Sequence, residues 1–348
     1  MRRRCEVFPS SAIESVPKAR KAAWWINSPL LRMLEVLLSN SLLMATIVLV
    51  VIYSIIARHL NFFTFENLVN ILISATVGGF LTWGLAVTML AGNIDFSTQG
   101  VSAVASIMMG VLFMQLGWGA LPTLVAVVLA SAILGLLTSL LVVNLKIPGL
   151  VATIAVNGSY VATAMFLCNN YQINIRRPDL ENLFFKFRIL NIPFSVWLMF
   201  AFFGFAWVVL NHTKLGAHIY AAGANPIAAR LNGVRVDWVI RITLVWSAVC
   251  VALAAMIQTA RSGITLLFGS SGGLYADLGP VVLGGISLFG GRGRLENMLV
   301  AIAFTSVLYN GLYLMNASTG TIRMTYGLVF LIAILMSAAR EWFAKLRA

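Results

Sequence analysis

The chain has 348 residues, of which 60% are hydrophobic and only 10% are charged, and its formal net charge is +13. A soluble globular domain is about half apolar and about a quarter charged, so this composition excludes an ordinary soluble protein. The apolar residues form repeated runs of about 18 to 24 residues, long enough to cross roughly 30 Å of hydrocarbon. The sequence predicts an all-α polytopic membrane protein, since β-barrel strands would alternate over about 10 residues.

The first segment, residues 1–35, is predicted to be a basic cytoplasmic tail followed by an interfacial segment. Arg2–Arg4 resemble the start of a signal peptide, but no apolar run follows until about Leu37. Ser28-Pro29 is typical of a helix start and follows two tryptophans, which favours a segment lying on the membrane surface. A disordered basic tail over residues 1–17 is the open alternative.

A transmembrane domain is predicted over residues 36–340, followed by a short cytoplasmic tail at 341–348. The ten predicted spans cover about 36–57, 71–91, 99–116, 121–144, 148–168, 194–211, 238–260, 274–289, 296–315 and 324–339. With the N-terminus inside, 17 of the 24 lysines and arginines lie on the cytoplasmic side. This bias predicts that both termini are cytoplasmic. The longest external loop, 169–193, is predicted to be periplasmic.

Two glycine-bearing stretches interrupt the apolar pattern, each with one aspartate. "AGNIDFSTQG" follows the second span, and "GSSGGLYADLG" follows the seventh. They occupy matching places in two blocks of four spans, 2–5 and 7–10, which have opposite orientation, and such breaks in inverted repeats indicate a transport path. The predicted path residues are Asn93, Asp95, Phe96, Ser97, Gly272, Gly273 and Asp277. Ordinary turns in the headgroup region are the open alternative.

The span interiors contain almost no ionisable side chains. Asp95 and Asp277 are the only acidic candidates near membrane depth. A proton- or sodium-coupled carrier usually holds its coupling ion with such groups, so we expect the energy for transport to come from outside this chain. The chain has no Walker A motif, no catalytic constellation, and isolated cysteines and histidines, so no catalytic residue, metal site or cofactor of its own is predicted.

A loop at residues 212–237 is predicted to carry one short, capped helix on the cytoplasmic side. Asn225 is a good N-cap, Pro226 suits the first helical position, and Gly233 suits the C-terminal stop. Ile227 and Leu231 are four residues apart and share one face. Because so short a helix is unstable alone in water, it must dock on its own spans or on a partner.

A second cytoplasmic feature is the glycine-rich stretch "GGISLFGGRGRLEN", Gly284–Asn297. It matches neither a Walker A motif nor a dinucleotide-binding loop. We predict a tight cytoplasmic turn, with small residues that let helices approach closely. The residues assigned to this turn are Gly290, Gly291, Arg292 and Gly293.

Three stretches resemble the permease subunits of ribose-type monosaccharide ABC importers: "GNIDFSTQG", "IYAAGANPIAARLNGVRV" and "ADLGPVVLGGISLFGGRG". Their order and spacing agree with that family over roughly residues 40 to 340. The first stretch departs from the family pattern, since Asn93 replaces a glycine and Phe96 a leucine. The resemblance implies a bacterial inner-membrane permease with about ten spans, acting as a homodimer or as a pair with a sister permease.

The same resemblance implies the partners and the energy source. Two cytoplasmic ATPase subunits would bind and use ATP, a periplasmic sugar-binding protein would dock on the other side, and lipid would surround the spans; no nucleic acid is expected. The coupling residues implied are Asn225, Pro226, Ala229, Arg230 and Gly233. The open alternative is a self-sufficient secondary carrier or channel for a small neutral solute.

Overall fold

The computed structural model describes residues 41–56, 62–175, 178–267 and 273–347. The predicted segment 1–35 lies outside the described residues. Within the described ranges, the chain forms thirteen α-helices, two π-helical turns and one two-stranded hairpin.

The first part of the chain is a succession of long helices with short connections. These are α1 (Ser41–Ile56), α2 (Phe65–Leu90), α3 (Thr98–Gly110), α4 (Ala120–Val143) and α5 (Gly149–Leu167), and a π-helical turn, Val111–Gln115, extends α3. The predicted external loop then contains α6 (Asp179–Glu181), a π-helical turn (Asn182–Lys186) and the antiparallel strands β1 (Arg188–Ile189) and β2 (Ile192–Pro193).

The second part contains both long and very short helices. These are α7 (Phe194–His212), α8 (Lys214–Ala224), α9 (Pro226–Leu231), α10 (Val236–Ser262), α11 (Gly273–Leu283), α12 (Leu295–Leu314) and α13 (Thr319–Arg347). The predicted C-terminal tail is therefore helical as far as Arg347, because α13 continues into it.

Seven segments of the described chain are long and apolar enough to cross a membrane: α2, α3 with its π-helical turn, α4, α5, α7, α10 and α12. Two shorter apolar helices cover Leu42–Ile56 and Thr319–Leu335. These segments confirm the predicted all-helical, polytopic membrane fold.

The predicted span 274–289 is wrong in its second half. Helix α11 ends at Leu283, where Gly285 takes a left-handed backbone conformation with φ of 80°. The N–H of Ile286 then donates to the carbonyl oxygen of Val281, which closes the helix end. Eleven residues rise only about 16 Å, so α11 alone is too short to cross the hydrocarbon.

Helices α2, α3 and α10 form the centre of the bundle. In their apolar windows 72%, 72% and 61% of residues are buried, against 28% in α4, α5 and α7. Small residues allow this packing: a Cβ added at Gly84 of α2 would lie 3.0 Å from Cys250 Cβ, and one at Gly135 of α4 would lie 2.9 Å from the Leu244 carbonyl oxygen. Helix α10 therefore contacts both neighbours at backbone distance.

Paired polar side chains hold the central helices together. Asn67 of α2 and Asn310 of α12 exchange two amide hydrogen bonds of 3.0 and 2.8 Å. Ser106 of α3 and Thr259 of α10 share a hydroxyl hydrogen bond of 2.7 Å. These polar groups are buried and need such partners in an apolar environment.

Candidate functional site

Helix α9 has the local structure that its sequence predicts. The Asn225 side-chain oxygen accepts hydrogen bonds from the N–H groups of Ile227 and Ala228 at 3.1 and 3.0 Å, and Pro226 is the first helical residue. Gly233 follows with φ of 81°, a left-handed conformation that ends the helix. The predicted cap, start and stop are confirmed.

One face of α9 rests on the protein and the opposite face projects away from it. Ala229 is buried, whereas the side chains of Ile227 and Leu231 are 70% and 84% exposed. Arg230 is also exposed, and its Nη2 lies 2.8 Å from Asp237 Oδ1 in an exposed ion pair. The described chain therefore leaves two apolar side chains on one face of this helix uncovered.

Helix α8, which the sequence analysis did not predict, connects α9 to the rest of the bundle. Its contact with the bundle is made at Gly223. A Cβ added at Gly223 would collide with the Leu90 carbonyl oxygen at the end of α2 and would lie 2.6 Å from the Gly291 nitrogen. The N–H of Gly291 donates to that same Leu90 oxygen at 3.0 Å. Three distant segments therefore meet here at backbone distance.

Two further glycines complete this contact. A Cβ on Gly290 would lie 2.7 Å from Gly92 Cα, and one on Gly92 would lie 3.3 Å from Gly223 Cα. We call Gly92, Gly223, Gly290 and Gly291 the glycine junction. Since each of the three segments belongs to a different motif, the structure brings together the three stretches that the sequence singles out.

The predicted glycine turn, Gly290–Gly293, also contacts α8 through a side chain. The Tyr220 hydroxyl donates to the Gly293 carbonyl oxygen at 3.1 Å. Burial, and then the nearby Glu296 carboxylate, raises the pKa of the Tyr220 phenol, so this hydroxyl keeps its proton at neutral pH. Arg292 is exposed, while its carbonyl oxygen accepts from the Ser287 N–H at 2.9 Å.

The loop between α2 and α3 holds the first group of predicted path residues beside the glycine junction. Asp95 is buried; its Oδ1 accepts from the Ser97 N–H and hydroxyl at 2.9 and 2.6 Å, and its Oδ2 accepts from the Ser247 hydroxyl of α10 at 2.7 Å. Asn93 and Phe96 are partly buried in the same loop. Asp95 therefore fixes the start of α3 against the middle of α10.

A cavity of about 520 Å³ lies between α2, α10 and α12, with α3, α11 and α13 completing its wall. It is lined by residues 67–81 of α2, 254–262 of α10 and 305–314 of α12, so it lies at the far ends of these helices from the glycine junction. Its polar lining residues are Asn67, Asn70, Ser74, Ser102, Gln258, Arg261, Ser262, Asp277, Thr305, Ser306, Tyr309, Asn310, Tyr313 and Tyr326.

The structure does not bring the two groups of predicted path residues together. Asp277 lines the cavity, whereas Asn93, Asp95, Phe96 and Ser97 lie in the loop next to the glycine junction. Gly273 is the first residue of α11, and Gly272 lies outside the described residues. The two groups belong to opposite halves of the bundle.

Sequence reasoning missed the other polar residues of the cavity, although a signal for them exists. Asn67, Asn70 and Ser74 recur every three or four positions on an apolar helix, and so do Ser306, Tyr309 and Tyr313. This spacing places polar groups on one face of each helix. In a membrane span such a stripe indicates a face turned towards protein or water.

Comparison with known proteins identifies the family of the chain. The profile of a family described as branched-chain amino acid transport system / permease component matches residues 67–339. The chain belongs to this permease family. No solved structure matches the chain.

Several curated relatives of the permease share most of its length. The ribose import permease protein of Escherichia coli (strain K12) is 30% identical over 312 residues, which cover 88% of this chain and 95% of the relative. The fructose import permease protein of Rhizobium meliloti is 28% identical over 83% of this chain and 81% of its own. The autoinducer 2 import system permease protein of Photorhabdus luminescens is 26% identical over 81% and 85%.

These matches confirm the resemblance to ribose-type permeases that the three motifs indicate. The chain is the permease component of an ABC import system, which makes it a transporter subunit rather than an enzyme. It is a multi-pass membrane protein related to bacterial permeases.

Proposed function

We propose that this permease forms the path of a monosaccharide or a related small polyol through the bacterial inner membrane. A separate ATPase binds and hydrolyses ATP, and a periplasmic binding protein delivers the solute. The import of ribose and fructose by the relatives supports the solute class. The single observation that carries the mechanism is that α2, α10 and α12 each run from the neighbourhood of the glycine junction to the cavity.

The proposed topology places both termini and α9 in the cytoplasm and the cavity on the periplasmic side. Ten crossing segments follow when α1, α13 and a tenth segment are added to the seven long spans. That tenth segment would be α11 together with the turn after it, which runs from Asp277 at the cavity to Gly290 at the glycine junction. The blocks α2–α5 and α10–α13 would be inverted repeats, because each has a non-helical break after its first helix. The segment 169–193 would be a periplasmic loop and 212–237 the coupling loop, within a domain of residues 36–340.

The proposed coupling element is α9. Its exposed Ile227 and Leu231 would insert into an apolar groove of the ATPase, while Asn225, Pro226 and Gly233 keep the helix rigid. Ala229 lies on the buried face of this helix, so it would transmit force to the bundle rather than touch the partner. Movement of α9 would then reach α2 and α12 through the glycine junction, since atoms in backbone contact cannot slide past one another without displacement.

The proposed path has two parts. The solute would enter the cavity at Asp277 and leave past the loop Asn93–Ser97, where the Asp95 clamp on Ser247 supports a closed inner end. A second permease subunit, identical or related, would complete the pore, with lipid covering the exposed apolar faces of α4, α5 and α7.

The test is reconstitution in proteoliposomes with radiolabelled D-ribose. We expect uptake with the ATPase, the binding protein and ATP, and none when ATP or the ATPase is omitted. Equal uptake by the permease alone would instead support a self-sufficient carrier or channel. Disruption of α9 by Gly233→Pro should abolish the ATP-dependent uptake while the protein still inserts, and normal uptake by that variant would overturn the coupling role.

A further inference from the structure

The cavity contains many polar side chains that have no hydrogen-bond partner in the described chain. Gln258 and the hydroxyls of Ser306 and Tyr309 make none of the hydrogen bonds found among the described residues. Arg261 uses one of its five N–H donors, which bonds the Ser74 hydroxyl at 3.0 Å. Ser306 is buried, Gln258 and Tyr309 are partly buried, and Arg261 is exposed, so their polar atoms are open to water or to a polar solute in the cavity.

By contrast, other polar residues of the same cavity are already satisfied. Asn67 and Asn310 bond each other, and the Tyr326 hydroxyl donates to the Thr305 carbonyl oxygen at 3.0 Å. These groups hold the helices together. Among the groups without a hydrogen bond in the described chain, Gln258 of α10 and Ser306 and Tyr309 of α12 lie on helices that line the same cavity.

The unpartnered groups suit a neutral polyhydroxylated solute. Amide and hydroxyl groups both donate and accept hydrogen bonds, as sugar hydroxyls do. Tyr309 and Tyr313 stack with ring centroids 6.3 Å apart and an angle of 15° between their planes, which offers a flat apolar surface. Among the described residues, the lining contains one cationic and one acidic side chain, Arg261 and Asp277, so this part of it favours neither an anion nor a cation.

We infer that the permease itself binds one monosaccharide in this cavity, through Gln258 and Arg261 of α10 and Ser306 and Tyr309 of α12. This inference rests on the proposed function and adds a solute-binding site on the membrane subunit. The volume is within the range of about 300–1,000 Å³ that small-molecule sites occupy. Leu81, Ala254 and Ala255 give the lining an apolar part, and the buried Ser102 of α3 lines the same cavity.

The experiment is saturation-transfer-difference NMR on the purified permease in lipid nanodiscs, without its binding protein. We expect signal transfer to the ring protons of D-ribose and D-fructose, but little to 1,6-hexanediol, with a Kd on the order of 1 mM. Gln258→Leu and Tyr309→Ala should each weaken sugar binding about tenfold, which corresponds to about 1.4 kcal/mol. Tyr309→Phe, which keeps the ring, should weaken it less.

The matched control is Thr163→Val, which removes a hydroxyl from an exposed position of α5, and it should bind sugar as the wild type does. Thermal melting identifies variants that fail to fold, and competition between the two sugars gives a test that needs no variant. Two results together would overturn this site and leave the proposed function intact. The first is that no signal is transferred to the sugars, or that the two sugars do not compete; the second is that Gln258→Leu takes up ribose with ATP at the wild-type rate. Sugar binding without ATP-dependent uptake would overturn the proposed function and leave the site.

Discussion

The two ends of the helix bundle are packed differently. At the end near α9, backbone atoms pack against backbone atoms, whereas at the other end polar side chains surround the cavity. The glycine junction leaves no room for a Cβ at Gly223, while at the cavity end Gln258 and Tyr309 make no hydrogen bond within the described residues. Close backbone contact transmits displacement, and polar groups without a partner are free to bond a solute. This comparison supports the proposal that the α9 end moves as a unit while the cavity end binds the solute.

The largest expected effect is at the tight end. Gly223→Ala places a Cβ against the Leu90 carbonyl oxygen, which should lower stability by about 1–3 kcal/mol and reduce ATP-dependent uptake at least about tenfold. Gly204→Ala is the matched control, because nothing lies within 4 Å of a Cβ at that helical position. Thermal melting and uptake measure both variants. If the two behave alike, the glycine junction is not a tight contact.

A second variant separates partner contact from internal packing. Leu231 is highly exposed, so Leu231→Asp should change the stability of the isolated permease by no more than about 0.5 kcal/mol. Capture of the ATPase and ATP-dependent uptake should nevertheless fall at least about tenfold, because an apolar anchor is lost. Leu231→Met retains the apolar contact and should behave as wild type. Full ATPase capture by Leu231→Asp would remove this residue from the interface.

At the cavity end, the paired amides of Asn67 and Asn310 are expected to contribute to the stability of the fold. Asn67→Leu leaves the buried Asn310 amide without its partner, and Asn310→Leu leaves the Asn67 amide with only its bond to the Phe62 carbonyl oxygen. Each change should cost about 1–2 kcal/mol of stability. The double variant should cost less than the sum of the two, since neither polar group remains. Thermal melting of the four proteins checks this, and additive losses would show that the two side chains are independent.

The smallest effect is expected at the exposed ion pair. Arg230 and Asp237 are both more than half exposed, and such pairs contribute about 1 kcal/mol or less. Asp237→Asn should therefore leave stability and uptake close to wild type, with little dependence on salt concentration. A loss approaching that of Gly223→Ala would show that this pair, and not the backbone contact, connects α9 to the bundle.

The sequence predicts α9 well because its signals are local. Asn225, Pro226 and Gly233 define a cap, a start and a stop within nine residues, and each acts through its immediate neighbours. The long spans were equally predictable from apolar runs. The error at 274–289 has a local cause too, since Gly284 and Gly285 lie inside an apolar run that composition alone reads as continuous.

The glycine junction and the cavity could not be predicted in this way. Gly92, Gly223 and Gly290 are far apart in sequence, and their contact depends on how α2, α8 and the glycine turn pack in three dimensions. Likewise, nothing local distinguishes Gln258, which lacks a partner, from Asn310, which has one. A single sequence indicates that such residues are unusual, but only tertiary packing decides their role.

Helix α10 has 27 residues, so its length is about 40 Å against roughly 30 Å of hydrocarbon. A helix of this length must tilt or extend beyond the bilayer to match its surroundings. Because its two ends adjoin α9 and the cavity, its tilt changes the distance of both from the membrane midplane. Acyl chain length is therefore expected to alter the transport rate: thin bilayers should increase the tilt and thick bilayers should reduce it.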